Sequence, residues 1–235
     1  MRHIETLSPE LKLIVSDEHT FGTDALCLAS FTSPRRKDVC VELGTGCGII
    51  SFYWFRENMG KQIYAVDIQE NAINQLKESI SINDVAVGEI ITPICSDLKD
   101  LKGKIPNASA DVVCMNPPYK PIGTGIISES DVDKIARHET ECTLDDICNT
   151  AKYLLKYGGR LCICFKPERL VEAINAMQKA KIEPKRLRFV TQKPTSTPWL
   201  VLLEGRLGGK SGMTVEPQLV IESDEMEKII GQYRK

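Results

Sequence analysis

Short apolar segments alternate with helical patterns along most of the 235-residue chain, and this alternation restricts the folds open to it. The apolar segments are near-continuous, which is typical of strands that helices cover on both faces of a sheet. The predicted strands are 39–43, 63–67, 90–95, 111–115, 160–165, 186–190 and 199–205. Repeated strand–helix units predict an α/β fold with a seven-stranded, mostly parallel sheet.

Apolar positions at helical spacing predict helices before and between these strands. The predicted helices cover 23–31, 49–57, 71–82, 144–155 and 168–180. Thr143 is a suitable N-cap for the fourth helix, and Gly158-Gly159 a suitable stop after it. The fifth helix would bring together four apolar side chains: Leu170, Val171, Ile174 and Met177.

Length and element spacing predict a single domain over residues 1–235. Residues 1–35 are interpreted as an N-terminal helical segment. Residues 116–142 form no convincing strand, and loops of this length in a compact domain are usually functional or disordered. They are therefore interpreted as a substrate loop. The last two strands are joined without a helix, so we expect the last one to run antiparallel to its neighbour.

Nine cysteines are scattered through the sequence, and none has the C-x-x-C spacing of a zinc or redox site. Several lie inside apolar runs, as Cys162 and Cys164 do. We interpret them as free thiols that pack as small hydrophobic side chains in a reducing compartment, with a reactive or metal-binding role as the alternative. No metal is expected.

The sequence has no pattern typical of a membrane or secreted protein. No apolar run reaches the roughly 18 residues that a membrane span needs. The first residues include an early acid and lack a secretory apolar segment. We therefore expect a cytoplasmic protein without a membrane partner.

The formal net charge of -2 hides an asymmetry. Residues 151–210 hold 13 Lys or Arg and 4 Asp or Glu, a local charge of +9, whereas the rest of the chain sums to -11. A basic segment on an acidic body favours a polyanionic partner gripped on one side. The alternative is a solvated charged surface with no such partner.

Glu42-Leu43-Gly44-Thr45-Gly46-Cys47-Gly48 joins the first predicted strand to the next helix. Glycines at this point allow a tight turn and a close approach of the backbone to a ligand. The G-x-G-x-G spacing differs from the dinucleotide fingerprint, and a P-loop is excluded because no Lys-Ser/Thr follows. A tight strand–helix connection without a ligand is the alternative.

Acidic residues lie at the carboxyl ends of the next two predicted strands. Asp67 closes the second strand, where its carboxylate can accept both hydroxyls of a ribose; alone, it could simply cap the next helix. Asp97 follows the third strand, where a carboxylate or a backbone N–H could contact an adenine edge. Because ligands of open α/β sheets bind at the carboxyl ends of the strands, the glycine turn and both acids predict one adenosyl site.

Asn116-Pro117-Pro118-Tyr119 follows the fourth predicted strand. Asn-Pro is a common turn signal, but two prolines also remove backbone donors and make the loop rigid. The Asn116 side-chain oxygen and the Pro117 carbonyl then offer two fixed acceptors that match the two donors of a planar NH2 group. Tyr119 supplies an aromatic face for stacking. The motif therefore predicts chemistry on an amino nitrogen.

Together, Val41 to Gly48, the acid of Ala65-Val66-Asp67, Ser96-Asp97-Leu98 and the Asn-Pro-Pro-Tyr segment resemble class I S-adenosylmethionine-dependent amino-methyltransferases. Segments 21–29, 135–139, 183–190 and 203–210, with the loop from residue 116, are similar to one family within them. These are the bacterial tRNA adenine-N6-methyltransferases that modify adenosine 37 beside the anticodon of a valine tRNA. The resemblance covers about residues 7 to 221.

This resemblance implies a Rossmann-like class I methyltransferase fold, S-adenosylmethionine as cofactor, a tRNA substrate, and a cofactor contribution from residues 1–35. The implied catalytic residues are Asn116, Pro117, Pro118 and Tyr119. The implied cofactor residues are Thr23, Glu42, Gly44, Thr45, Gly46, Asp67, Ile68, Asp97, Leu98 and Asn116. Candidate RNA contacts are Arg137, Lys166, Lys185, Arg186 and Arg188.

Three alternatives remain open at this point. A guanine-N2 enzyme would also act on an exocyclic amine. A protein glutamine-N5 enzyme would present an amide NH2 to the same motif, although such enzymes usually carry a separate N-terminal helical domain, for which the position of Glu42 leaves no room. The third alternative is an RNA-binding protein that keeps the fold without catalysis.

Overall fold

The structure, a computed structural model, describes residues 1–117 and 142–231. Pro118, Tyr119 and Arg137 lie outside the described residues, as does most of the loop predicted at 116–142.

The strands are β1 (Arg2–Ser8), β2 (Leu11–Ser16), β3 (Val39–Leu43), β4 (Gln62–Asp67), β5 (Ile91–Cys95), β6 (Ala110–Met115), β7 (Leu155–Phe165), β8 (Ile182–Thr191), β9 (Leu200–Leu207), β10 (Thr214–Val215) and β11 (Leu219–Val220). The helices of the described residues are α1 (Thr23–Thr32), α2 (Ile49–Arg56), α3 (Glu70–Ser81), α4 (Val85–Ile90), α5 (Leu144–Leu154), α6 (Leu170–Lys179) and α7 (Asp224–Ile230). Short 3-10 helices cover Leu98–Asp100 and Pro167–Arg169.

The main sheet has the strand order β10-β8-β9-β7-β6-β3-β4-β5, with β11 also paired to β8. Strands β3 to β7 pair in parallel, and β9 runs antiparallel to both β7 and β8. The seven long strands are those predicted from the sequence, whereas β10 and β11 are two-residue additions at the β8 edge. The mostly parallel α/β sheet and its antiparallel last long strand are therefore confirmed.

The N-terminal segment differs from the prediction, because only part of residues 1–35 is helical. Before α1, the strands β1 and β2 form an antiparallel hairpin. Leu11, Leu13 and Val15 alternate with more exposed residues, which is the two-residue period of a strand. The hairpin lies on α3, where the Ile14 N–H donates to Ser79 Oγ at 3.0 Å. Tertiary packing thus stabilises a hairpin where a helical segment was predicted.

Two details of the helices also differ. Helix α5 begins after a Thr143 capping box, as predicted, but ends at Leu154. Gly158-Gly159 lies inside β7 and does not stop a helix. The β6–β7 register shifts at this point, and Gly158 takes a φ of +79°, which glycine adopts readily. In α6, Val171 is exposed while Met177 is buried, so Val171 does not belong to the buried face.

Side chains from both faces of the sheet are buried. In β3, Cys40 packs in the cluster that contains Phe52 and Trp54 of α2, whereas Val41 packs in the cluster that contains Ile147 of α5. This alternation follows from the two-residue period of a strand covered on both sides. The sheet is therefore covered by helices on both faces.

Most of the cysteines belong to these clusters, as the sequence predicted. Seven of the nine are buried, with Cys95 exposed and Cys142 between the two. Burial raises the pKa of Cys27 and of Cys47 to about 12, so these thiols stay protonated and pack as small apolar groups. None of the described helices has the length and apolar character needed to cross a membrane.

Candidate functional site

The carboxyl ends of four neighbouring strands meet at one edge of the sheet. β3, β4, β5 and β6 lie side by side, and Gly44, Ile68, Ser96 and Asn116 directly follow them. In open α/β sheets this edge is where ligands bind.

The glycine turn after β3 needs glycine for conformation. Gly44, Gly46 and Gly48 have φ values of +66°, +54° and +91°, in the left-handed region that L side chains rarely adopt. A Cβ at Gly48 would lie 2.5 Å from Leu76 Cδ1, so α3 packs closely against the turn. At Gly46 a Cβ would meet nothing within 4 Å. This part of the turn therefore faces open space.

Asp67 ties the glycine turn to the next helix. Asp67 is 6% exposed; one carboxylate oxygen accepts from the Gly46 N–H at 2.8 Å and the other from the Gln69 N–H at 2.9 Å. A carboxylate oxygen can accept two hydrogen bonds, and here each accepts one within the chain. Both oxygens therefore retain capacity for a ligand hydroxyl. Helix α3 begins after Gln69 without a side-chain cap, so Asp67 fixes the turn before the helix and the helix-capping alternative is wrong.

Asp97 caps the short helix after β5, accepting from the Lys99 N–H at 2.8 Å. The Ser96 N–H donates to the Asp67 carbonyl at 2.8 Å, which links this turn to the end of β4. Lys104 Nζ donates to Ser96 Oγ at 2.7 Å and holds the turn from the outside. The two acidic turns are therefore fixed relative to each other.

Glu42 lies beneath the glycine turn and is 2% exposed. Burial raises its pKa to about 7, although the Ser51 N–H donates to it at 3.0 Å and the Ser51 hydroxyl also donates to it. A carboxyl group poised near neutrality ionises readily when a cation is placed beside it. Glu42 is thus suited to a ligand with a positively charged amino group.

Asn116 directly follows β6 and is held at both ends of its side-chain amide. Nδ2 donates to Asp24 Oδ2 at 2.9 Å, and the Cys164 thiol donates to Oδ1 at 3.1 Å. Pro117 is buried next to it. Of the predicted catalytic residues, Asn116 and Pro117 thus lie at the ligand edge, and Pro118 and Tyr119 lie outside the described residues.

Two adjoining cavities open at this edge. The first has a volume of about 300 Å³ and is lined by Gly44, Gly46, Val66, Asp67, Ile68, Gln69, Ser96, Asp97, Leu98, Met115, Asn116 and Cys142. The second has a volume of about 290 Å³ and is lined by Thr20, Phe21, Gly22, Asp24, Ala25, Glu42, Gly44, Thr45, Gly46, Cys47, Ile49, Ile50, Asn116 and Pro117. Because both include Gly44, Gly46 and Asn116, they adjoin at the glycine turn and at Asn116.

The cavities collect all the predicted cofactor residues except Thr23. Thr23 is the first residue of α1, and it is its neighbours Gly22 and Asp24 that line the second cavity. Segment 1–35 nevertheless lines this cavity with Thr20, Phe21, Gly22, Asp24 and Ala25, and its contact with a cofactor stays a prediction.

Three contributors were missed from the sequence: Asp24, Cys142 and Cys164. Asp24 was within reach of sequence reasoning because it lies in segment 21–29. No local pattern marked the cysteines: Cys142 precedes the Thr143 cap of α5, and Cys164 lies in β7.

The residues present fit S-adenosylmethionine. An adenosyl group needs acceptors for ribose hydroxyls beside a flat apolar slot, and the first cavity combines Asp67 with Ile68 and Leu98. A methionyl group needs an acid near its amino group and close backbone approach, and the second combines Glu42 with Gly44 and Gly46. Among the described residues, no cluster of His, Cys, Asp or Glu could hold a metal ion.

The predicted RNA-binding residues that the structure describes all have partners within the chain. Arg188 pairs with Glu225 through two contacts of 2.8 Å, and Lys185 donates to the carbonyl oxygens of Lys210 and Gly212. Lys166, which follows β7 at the ligand edge, lies over the Trp199 ring at 5.6 Å.

Arg186 is the most heavily engaged of these residues. It pairs with Glu204 at 3.0 Å and with Glu216 at 3.3 Å, and its guanidinium lies 4.1 Å from the centre of the Phe31 ring. The structure therefore gives Arg186 and Arg188 roles within the chain, and their contact with RNA stays a prediction.

Known proteins resemble this chain in sequence and in fold. The tRNA1(Val) (adenine(37)-N6)-methyltransferase of Parabacteroides distasonis is 24% identical over 185 residues, which cover 78% of this chain and 75% of the relative. The protein of the same name from Tolumonas auensis is 27% identical over 205 residues, covering 87% and 82%. A solved structure described as a predicted O-methyltransferase, from Agrobacterium tumefaciens, has a TM-score of 0.70 at 17% identity over 88% of this chain and 95% of its own.

The similarity to the solved structure supports the Rossmann-like fold, and the sequence model of the methyltransferase small domain supports the family. That model matches residues 15–182, which is more than half of the chain and includes the glycine turn, both acidic turns and Asn116. The chain therefore belongs to the methyltransferase small domain family and is an S-adenosylmethionine-dependent methyltransferase.

Proposed function

We propose that this enzyme methylates the N6 nitrogen of an adenosine in tRNA, at adenosine 37 of a valine tRNA. The observation that carries the proposal is the position of Asn116, which directly follows β6 and lines both cavities. The names of the relatives from Parabacteroides distasonis and Tolumonas auensis support the choice of substrate. A tRNA substrate also makes the cytoplasm the expected compartment.

The roles of the cofactor residues follow from their positions. Asp67 would accept the ribose hydroxyls, and Ile68, Asp97 and Leu98 would surround the adenine ring. Glu42 would face the amino group of the methionyl part, while Gly44 to Gly46 allow its close approach. When bound, S-adenosylmethionine supplies an electrophilic methyl group on a sulfonium.

The same frame would activate the acceptor nitrogen. Adenine N6 is a poor nucleophile because its lone pair is delocalised into the ring. Hydrogen bonds from its two N–H groups to Asn116 Oδ1 and the Pro117 carbonyl would favour a pyramidal nitrogen whose lone pair points at the methyl group. Fixing the reactants in line can contribute roughly 7–11 kcal/mol to lowering the barrier.

Methyl transfer to N6 does not require a strong base at the site. S-adenosylmethionine would supply both the methyl group and its leaving group, since the electron pair of the broken S–C bond would stay on sulfur as the N–C bond forms. The nitrogen becomes acidic only once it is methylated, so its proton can pass to water afterwards. This is consistent with a motif that contains acceptors and prolines but no catalytic histidine or carboxylate.

An anticodon-loop adenosine suits this frame because it is largely unpaired and costs little to splay out of its stack. Tyr119 would then stack on the base; it lies outside the described residues, so this role rests on the sequence. Contacts to phosphates should make tRNA binding weaken as the salt concentration rises.

The test is transfer of tritium from labelled S-adenosylmethionine to bulk tRNA, followed by nuclease digestion. We expect label in N6-methyladenosine, and tRNA from a strain lacking the protein should lose that nucleoside by mass spectrometry. Label in N2-methylguanosine, or in release-factor glutamine with none in tRNA, would overturn the proposal. Binding of tRNA and cofactor without transfer would instead identify a non-catalytic RNA-binding protein.

A further inference from the structure

The side chain of Asn116 is oriented by residues from two other elements. Asp24 of α1 accepts from Nδ2 at 2.9 Å, and Cys164 of β7 donates to Oδ1 at 3.1 Å. One N–H and one lone pair of the amide find no partner among the described residues. The lone pair left on Oδ1 is the acceptor that a substrate amino group needs.

Asp24 fixes the orientation of the Asn116 side-chain amide, with Nδ2 towards Asp24 and Oδ1 towards Cys164. A carboxylate can only accept, so a rotated Asn116 would place Oδ1 against Asp24 Oδ2 with no hydrogen between them. Loss of Asp24 would remove that penalty, and a rotated amide would present N–H groups to the substrate amine. Donation to an ionised acceptor also polarises the amide and makes Oδ1 a stronger acceptor.

Gly22 leaves room for this contact. A Cβ at Gly22 would lie 2.4 Å from Asp24 Oδ1, whereas the φ of Gly22 is -105°, which any residue can adopt. A side chain at this position would therefore be compatible with the backbone but would displace the Asp24 carboxylate. Gly22 and Asp24 both line the second cavity together with Asn116.

We propose that Asp24 is a positioning residue for methyl transfer, which acts through Asn116 by fixing and polarising its side-chain amide. The proposal rests on the proposed function only in taking Asn116 as the acceptor for the substrate amine. Asp24 would then affect turnover far more than the binding of S-adenosylmethionine.

The first test compares Asp24→Ala with Asp24→Asn, measuring transfer of label to bulk tRNA and cofactor affinity by calorimetry. A hydrogen bond to a charged group contributes about 1.5–3 kcal/mol, so kcat should fall about 10- to 100-fold in Asp24→Ala, with a smaller loss in Asp24→Asn. The dissociation constant for S-adenosylmethionine should change less than about threefold, a free-energy change below the worth of one neutral hydrogen bond.

Asp224→Asn is the control, because Asp224, like Asp24, is an acid in the first turn of a helix. Asp224 is exposed where Asp24 is half-buried, and it lies in α7, outside the lining of both cavities. It should keep wild-type kcat. If Asp24→Ala turns over normally, or loses cofactor affinity in proportion to kcat, the positioning role is wrong.

A second test exchanges the acid and the amide between positions 24 and 116, which distinguishes a positioning role from a purely structural one. Asn116→Asp places two carboxylates together and should be nearly inactive, whereas Asp24→Asn combined with Asn116→Asp restores a donor–acceptor pair. We expect the double variant to exceed the activity of Asn116→Asp by about tenfold, the worth of roughly one hydrogen bond. Equal or lower activity in the double variant would contradict the proposal.

The outcome can be read even if tRNA is not the substrate. In a nitrogen-15 spectrum of the free enzyme, the Asn116 side-chain amide should shift in Asp24→Ala and in Gly22→Ala but not in Asp224→Asn. If tRNA acquires no label but the Asn116 amide shifts in these variants as expected, the proposed function is wrong and the contact between Asp24 and Asn116 is still supported. An amide signal unchanged by Asp24→Ala would reject the contact itself.

Discussion

Polar side chains serve different purposes at the two ends of the sheet. At the ligand edge of β3 to β6, Asp67 and Asn116 each make two hydrogen bonds within the described chain and keep further capacity beside a cavity. At the β8–β9 end, Arg186 is paired with Glu204 and Glu216, and Arg188 with Glu225. Glu216 and Glu225 lie outside the basic segment 151–210.

This difference between the two regions shows that a local count of charges does not by itself identify a polyanion-binding surface. The +9 of residues 151–210 suggests a polyanion-binding surface, but carboxylates from other parts of the chain fold back onto its arginines. Charge that is already paired contributes little field to a distant partner. Unused hydrogen-bonding capacity beside a cavity is the better indicator of a functional site.

The largest expected effect is at the ligand edge. Asn116→Ala removes the side-chain acceptor for the amino group and should lower kcat by about 10²–10³-fold, as loss of one oriented transition-state partner does elsewhere. Cofactor affinity, measured by calorimetry, should stay near the wild-type value. Normal turnover with lost cofactor affinity would place Asn116 in cofactor binding alone and weaken the contrast between the two ends.

The next effect is at the paired end. Glu204 has an 8% exposed side chain between Arg160 and Arg186, so Glu204→Ala leaves two guanidinium groups without their shared partner. The free energy of unfolding should fall by about 3 kcal/mol in urea denaturation. Glu172→Ala breaks the exposed pair with Arg169 and should cost less than about 1 kcal/mol. Equal losses would mean that burial does not distinguish these pairs.

Glu42 allows a test by pH. Its native pKa of about 7 lies above the ordinary value of 4.5, so the native state holds an extra proton between these values. The stability that Glu42 contributes is therefore full below about pH 4.5 and is lost as the pH rises through 7. From pH 5 to pH 8 the unfolding free energy of the wild type should fall relative to Glu42→Gln, by about 2 kcal/mol. A pH-independent difference would show that Glu42 is ionised throughout.

The smallest effect concerns RNA. Lys166 follows β7 at the ligand edge, whereas Arg188 is paired with Glu225. Lys166→Ala should reduce the slope of log affinity for tRNA against log salt by about 1, and Arg188→Ala should leave it nearly unchanged. Filter binding at several salt concentrations measures both. A loss of slope in Arg188→Ala would mean that the basic segment contacts phosphate despite its internal pairs.

Much of the fold could be predicted because its signals are local. Near-continuous apolar runs marked the seven long strands, and Thr143 marked the start of α5 by its capping chemistry. The N-terminal hairpin was missed although Leu11, Leu13 and Val15 alternate, because its stability comes from packing on α3. Gly158 was read as a helix stop, since nothing local distinguishes a stop from a bulge inside a strand.

The sequence by itself determined the glycine turn, the two acids and Asn116-Pro117, because backbone conformation and the order of strand ends follow from neighbouring residues. Only the tertiary structure decided which side chains orient them. Asp24 and Asn116 are 92 positions apart, and Arg160 and Glu204 are 44 positions apart, yet both pairs are in contact. Such contacts depend on how helices and strands pack, and a pattern confined to a few residues carries no record of that packing.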